Sequence, residues 1–269
     1  MYSGIPFPDI DPIVFSIGFF SLRWYSLAYL AGFFGGWVMA RKIIKRDGFN
    51  IKAADFDDFI TFCALGVILG GRIGYILFYN LDYFIHNPLE VFKLWHGGMS
   101  FHGGFLGFIV ATFWFSKSHK IPFFVLTDIC ACVAPLGLYF GRLANFVNGE
   151  LFGRVTYNVP WAIIFPYGGN EPRHPSQIYE ALLEGMLMLI VLNIVYLSPK
   201  VRDRAGVLSG LFLIGYGSIR IFLEQFREPD VQLGFLFDVI TMGQLLSIPM
   251  LIVGMILLFV CGCCQKDKI

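Results

Sequence analysis

Charge is scarce in this chain of 269 residues: Asp, Glu, Lys and Arg make up 14%, against 57% hydrophobic residues. Soluble domains carry about 25% charged residues, so an ordinary water-solvated globule is excluded and an integral membrane protein is expected. A basic n-region is missing too, since MYSGIPFPDIDP holds two Asp and no Lys or Arg precedes Arg23. A cleavable signal peptide is therefore not expected, and the first apolar segment is taken as retained. No Cys/His spacing resembles a zinc site. The six cysteines, Cys63, Cys130, Cys132, Cys261, Cys263 and Cys264, all avoid polar outer loops. They read as reduced structural thiols, with lipid acylation of the CGCC tail as the alternative. Nothing near them would form a thiolate, which argues against a catalytic cysteine.

What the chain does have is thirty Phe and twelve Tyr, suited to a surface solvated by lipid and to its water boundary. Apolar runs of roughly 20 residues, enough to cross about 30 Å of hydrocarbon, fall near 15–39, 56–79, 99–116, 121–140, 177–197, 206–226 and 235–260. This predicts an all-α integral membrane protein with about seven transmembrane helices. Twelve of the twenty basic residues lie in the loops after the odd-numbered spans and in the tail, from Arg41 to Lys268. By the positive-inside rule that side is cytoplasmic, which puts the N-terminus outside and the C-terminus inside. The other eight are Arg23, Arg72, Lys93, Arg142, Arg154, Arg173, Arg220 and Arg227. Seven of these are arginine, whose planar fork suits phosphate or carboxylate, so the outer side is expected to hold an anion. With no internal repeat visible, residues 1–269 are read as one polytopic domain with a small periplasmic cap over 141–175, where VPWAIIF is a candidate strand.

Four stretches carry candidate chemistry. RIFLEQFRE places Arg220, Glu224 and Arg227 on one helix face. Charge within a bilayer is costly and normally faces a partner or a wet cavity, although a structural ion pair near the interface reads equally from the residues. GRLANFVNGELFG puts Arg142 and Asn145 three apart, and its Asn148-Gly149 turn can swing Glu150 back toward them; an ordinary helix exit is the alternative. RHPSQIYE is a helix entry in which Glu180 and Glu184 lie near the favourable N-terminal end, while Arg173 and His174 are open as a pocket rim. HGGMSFHGG sets His96 and His102 among glycines. A metal pair is not expected from that spacing, and His102 is a candidate base beside Gly103 and Gly104, where a ligand could approach the main chain.

Together HGGMSFHGG, GRLANFVNGELFG, RHPSQIYE and YGSIRIFLEQFREPD resemble the bacterial prolipoprotein diacylglyceryl transferase family. SLRWYSLAYL and GGRIGY extend the likeness along most of the chain. The resemblance implies transfer of the diacylglyceryl group of phosphatidylglycerol to the lipobox cysteine of a preprolipoprotein, in a bacterial plasma (inner) membrane, with the reaction on the periplasmic side. It implies Arg142 as the lipid contact, Arg220 as a second essential arginine, and His102, Asn145, Glu150, Gly153, Tyr25 and Glu224 as sensitive positions. The expected partners are phosphatidylglycerol, the signal peptide of the preprolipoprotein and membrane lipids, with no nucleic acid, no metal and no organic cofactor. The rival reading is an arginine-lined transporter or lipid flippase, although the paired interrupted helices usual in that class are missing.

Overall fold

The computed structural model describes residues 4–18, 20–47, 51–228, 235–236 and 240–263. In chain order the elements are β1 (Ile5–Pro6), β2 (Ile13–Ile17), β3 (Phe20–Arg23), α1 (Trp24–Asp47), α2 (Ala53–Tyr79) and α3 (Leu81–His86). Two 3-10 turns, Pro88–Phe92 and Leu94–His96, lead to α4 (Phe101–His119) and α5 (Phe123–Val147). After β4 (Ile163–Ile164), α6 (Ser176–Glu180) runs through a π-helical segment (Ala181–Leu187) into α7 (Met188–Tyr196). The chain continues through α8 (Pro199–Arg202), α9 (Val207–Leu223), β5 (Phe235–Leu236), β6 (Ile240–Thr241) and α10 (Met242–Cys263).

Among the described residues, five helices are long and apolar enough to cross a membrane: Trp24–Arg46, Ala54–Tyr79, Phe123–Val147, Ser176–Tyr196 and Met242–Cys261. The expected spans near 99–116 and 206–226 coincide with α4 and α9, which are not among the five; α9 is apolar but shorter. Large apolar side chains face outward, with Phe78 80% and Phe259 81% exposed, whereas Glu180 and Glu184 are buried. That inversion of the usual soluble pattern fits a surface solvated by hydrocarbon.

The fold departs from an all-α reading at both ends. The first span does not begin at residue 15: β2 and β3 pair as an antiparallel hairpin, Ile17 opposite Phe20, and helix starts only at Trp24. IVFSI is rich in β-branched and aromatic residues, and Gly18 supplies the turn, so strand propensity overrides the apolar run there. Likewise β5 and β6 pair before α10.

Two compact units can be distinguished, one from residues 1–42 with 128–268, the other from 43–127. In the first, α5 and α9 are tied by a buried carboxylate. Asp128 accepts from the Gly206 and Ser209 amides, each at 2.8 Å, and from the Ser209 hydroxyl at 2.7 Å, so a side chain of α5 caps the start of α9. The arginines of interest, Arg142 and Arg220, lie toward the other ends of these same helices. At 1.5 Å per residue, Arg142 is about 21 Å along α5 from this tie.

GRLANFV continues α5 to Val147, so the stretch 141–175 begins as helix. Its expected strand is the short β4, parallel to β1, with Ile163 and Val155 both bridged to Arg173. In the second unit, α2 and α4 approach through facing glycines. A Cβ on Gly66 would lie 2.6 Å from the Gly107 carbonyl oxygen, and one on Gly74 would lie 2.8 Å from Gly103 Cα. Small residues at such four-residue spacing let membrane helices pack backbone to backbone.

Candidate active site

The last turns of α5, the junction of α6 with the π-helical segment and the C-terminal end of α9 bring six charged side chains together. Arg142 directs Nη1 at Glu180 Oε2 (3.3 Å) and Nη2 at Glu184 Oε2 (3.4 Å). Arg220 directs Nη1 at Glu180 Oε1 (2.8 Å) and Glu184 Oε1 (3.3 Å), and Nη2 at Glu224 Oε1 (2.7 Å). Arg227 Nη1 also reaches Glu180 Oε1, at 3.4 Å. Guanidinium groups from α5 and α9 thus converge on the same two carboxylates, whose side chains are 1% and 0% exposed. Three arginines facing three glutamates give the group no formal net charge, which is what allows so many ions to be buried together.

Glu180 and Glu184 are the residues that sequence reasoning missed. The helix-entry pattern makes them favourable charges near an N-terminus, whereas in the structure they are the buried bridge between the two arginine sites. The available signal was two carboxylates four apart within an apolar span. The π-helical segment begins at Ala181, immediately after Glu180, and contains Glu184. Such widened turns frequently occur at functional sites.

Asn145, three residues beyond Arg142, donates through Nδ2 to Glu150 Oε1 (2.9 Å), and Asn148 does so at 3.3 Å. The Asn148-Gly149 turn, with Gly149 at φ +66°, returns Glu150 to α5, and the Glu150 amide donates to Asn145 O (3.1 Å). Gln177, fully buried, donates to Glu150 O at 2.6 Å and fastens this turn to α6. The Tyr25 hydroxyl lies 3.1 Å from that of Tyr29, within electrostatic reach of Glu150 and Arg142. Gly153 has a packing role: its amide donates to His174 O (2.9 Å), and a Cβ there would lie 2.7 Å from the same oxygen. His102 occupies the second position of α4 in the other unit and is exposed. Gly103, in the same turn, packs against α2 at Gly70 and Gly74, and Gly104 lies against Val67.

The arginines outside the first set of basic residues do not form a single anion-holding set. Arg154 donates to the backbone oxygens of Arg227 (2.8 Å) and Glu224 (3.1 Å). Arg173 donates to Gly168 O and Gly153 O and pairs with Glu228 at 3.1 Å. These two tie the stretch around residues 153–173 to residues 224–228 beyond α9. His174 Nδ1 lies 3.1 Å from the Tyr179 hydroxyl, which accepts from Trp161 Nε1 at 2.6 Å, and burial pushes its pKa below the ordinary histidine range. Among the described residues, no cluster of three or more His, Cys, Asp or Glu side chains has metal-holding geometry.

An arginine pair buried with shared carboxylates does not by itself name a ligand, so comparison with known proteins bears directly on its meaning. A family model described as prolipoprotein diacylglyceryl transferase matches residues 12–260. A Rhodospirillum rubrum protein named phosphatidylglycerol–prolipoprotein diacylglyceryl transferase is 51% identical over 97% of this chain and 95% of its own length. Proteins of the same name from Bradyrhizobium diazoefficiens and Rickettsia bellii are 52% and 48% identical, over 94% and 97% of this chain and 92% and 99% of theirs. The chain belongs to the prolipoprotein diacylglyceryl transferase family.

Proposed function

We propose that this protein transfers the diacylglyceryl group of phosphatidylglycerol to the lipobox cysteine thiol of preprolipoproteins, on the periplasmic side of a bacterial inner membrane. In this reading seven helices cross the bilayer, with the N-terminus outside and the C-terminus in the cytoplasm. The cysteine sulfur attacks the glyceryl carbon that bears the phosphodiester oxygen. A C–S bond forms, the C–O bond breaks, and glycerol phosphate leaves with the bonding electrons. The thiol proton goes to the base, and the leaving phosphate carries one more negative charge than it had in the lipid.

The observation that carries this reading is the convergence of Arg142 and Arg220 on Glu180 and Glu184. A guanidinium has five N–H donors, and Arg142 directs only two nitrogens at carboxylates while its side chain stays 16% exposed. Donors therefore remain for a phosphodiester. The carboxylates fix the two forks before the lipid arrives, so no reorganisation is needed when charge develops on the leaving oxygen, the condition under which electrostatic stabilisation is strongest. Glu224 orients Arg220 from one turn away. Tyr25 and Asn145 donate hydrogen bonds to lipid oxygens, with Glu150 holding Asn145. His102 is the base, exposed on the first turn of α4. An unperturbed thiol, with a pKa of about 8.5, is mostly protonated at neutral pH and needs such a partner.

The test is the purified protein in phosphatidylglycerol nanodiscs with a lipobox peptide. A diacylglyceryl mass gain on the cysteine, with glycerol phosphate released, is expected. Movement of lipid between leaflets of a vesicle without any modified peptide would instead make the protein a flippase.

A further inference from the structure

The GGRIGY stretch of α2 takes no part in the chemistry above, yet its Arg72 is only 4% exposed. Its contacts are unlike those of Arg142 and Arg220. Nε donates to Val91 O (3.0 Å), Nη1 to Gly97 O (2.5 Å) and Gly98 O (3.1 Å), and Nη2 to Glu90 O (2.6 Å) and Lys93 O (3.2 Å). Five donors meet five carbonyls, all from residues 90–98, and the Phe84 ring covers the guanidinium at 5.0 Å. The segment is wrapped around the cation. Its own main-chain bonds are short-range turns, Lys93 to Glu90, His96 to Lys93 and Gly97 to Leu94, and the Glu90 carboxylate pairs with Lys93 and His96 inside the same segment.

Gly97 and Gly98 adopt φ of +77° and +80°, which turns both carbonyls toward one nitrogen. Two residues later the Ser100 amide donates to Gly71 O (2.8 Å), and Ser100 Oγ accepts from the Gly103 amide (3.2 Å) as the cap of α4. Neighbouring residues of α2, Gly71 and Arg72, therefore fix the chain from Glu90 to the first turn of α4. His102 is the second residue of that helix.

We propose that Arg72 is a positioning residue: its guanidinium sets the 90–100 segment and, through it, the helix entry that presents His102. This deepens, and rests on, the reading of His102 as the base. With every donor engaged by a carbonyl, Arg72 does not hold lipid phosphate. Lysine would keep the charge, but one ammonium with three donors does not reproduce a fork that meets five oxygens.

The experiment compares Arg72→Lys and Gly97→Ala, which disturb the same contact from its two sides, the new Cβ at Gly97 meeting open space but a left-handed backbone, in the full-length protein in phosphatidylglycerol nanodiscs. Both variants are expected to fold and to show faster deuterium exchange in peptides covering 90–100. Turnover should fall about 100-fold, the loss that a displacement of about 1 Å produces, with KM for phosphatidylglycerol within about twofold of wild type. In a His102→Gln background, Arg72→Lys should cost far less, because the two residues act through one another. A raised KM at unchanged kcat would make Arg72 a lipid contact and overturn the proposal. Unaltered exchange, or full additivity with an impaired His102→Gln, would overturn it equally. His102→Gln measured alone separates the two readings: near-wild-type turnover removes the base assignment, whereas the exchange readout judges the Arg72 contact independently.

Discussion

Glu184→Ala tests the bridge between the two arginine sites at its fully buried carboxylate. The Glu184 side chain is 0% exposed, with one oxygen 3.4 Å from Arg142 and the other 3.3 Å from Arg220. At an effective dielectric constant of about 20, a pair at that separation attracts by roughly 5 kcal/mol. Desolvation offsets much of this in the folded protein, but truncating one partner leaves the other ions buried and uncompensated, which costs about 3–5 kcal/mol. Folds are held by about 5–15 kcal/mol in total, so the variant should lose a large share of its stability. Glu184→Gln keeps the shape and one acceptor, so it should fall between the two. It also takes the formal charge of the six-residue group from zero to +1, and KM for phosphatidylglycerol should drop as stability drops. Equilibrium unfolding in mixed micelles, with Glu184→Ala, Arg220→Lys and the double variant, measures the coupling. If Glu184→Ala lies within about 0.5 kcal/mol of wild type, or is fully additive with Arg220→Lys, the bridge does not hold the arginines.

Arg220→Lys should fold better than Arg220→Ala, which takes Glu224 from its arginine and one partner each from Glu180 and Glu184, and should lower kcat by about 100- to 1,000-fold in steady-state assays with much less change in KM. Gly74→Ile places a branched side chain where Gly103 Cα lies 2.8 Å from the new Cβ. Overpacking of about 1–3 kcal/mol or more should appear in unfolding titrations. For His174, burial lowers the folded-state pKa, so between that value and about 6.5 the unfolded chain binds more protons. Stability should therefore rise with pH across that window and be lost as pH falls through it, and His174→Gln should flatten the dependence measured by thermal unfolding.

Local arrangements were the most legible part of the sequence. Arg142, Asn145 and Glu150 are close in the chain, and a helix end followed by an Asn-Gly turn leaves few ways to place them. The bridge from Arg142 to Arg220 was not legible, because Glu180 and Glu184 join positions about 40 residues away in either direction, and their spacing also suits a helix entry. Hydropathy marked seven apolar stretches but gave wrong starts for the first and last, since apolar content alone does not separate a hairpin from a helix. Arg72 looked like one more outward arginine. Only coordinates show that its fork faces carbonyls, while those of Arg142 and Arg220 face acids.

The proposed transfer requires Arg142 and Arg220 together to hold the lipid phosphate, and a distance between them and that phosphorus tests it most directly. Guanidinium nitrogen labelled with 15N, in nanodiscs of phosphatidylglycerol, should dephase strongly against 31P, consistent with about 4 Å between nitrogen and phosphorus for a charge-assisted hydrogen bond. The effect should be lost in part in Arg142→Lys and in part in Arg220→Lys, and should persist in Arg72→Lys. No dephasing in wild-type protein that is active on a lipobox peptide, or dephasing untouched by both arginine substitutions, would contradict the account.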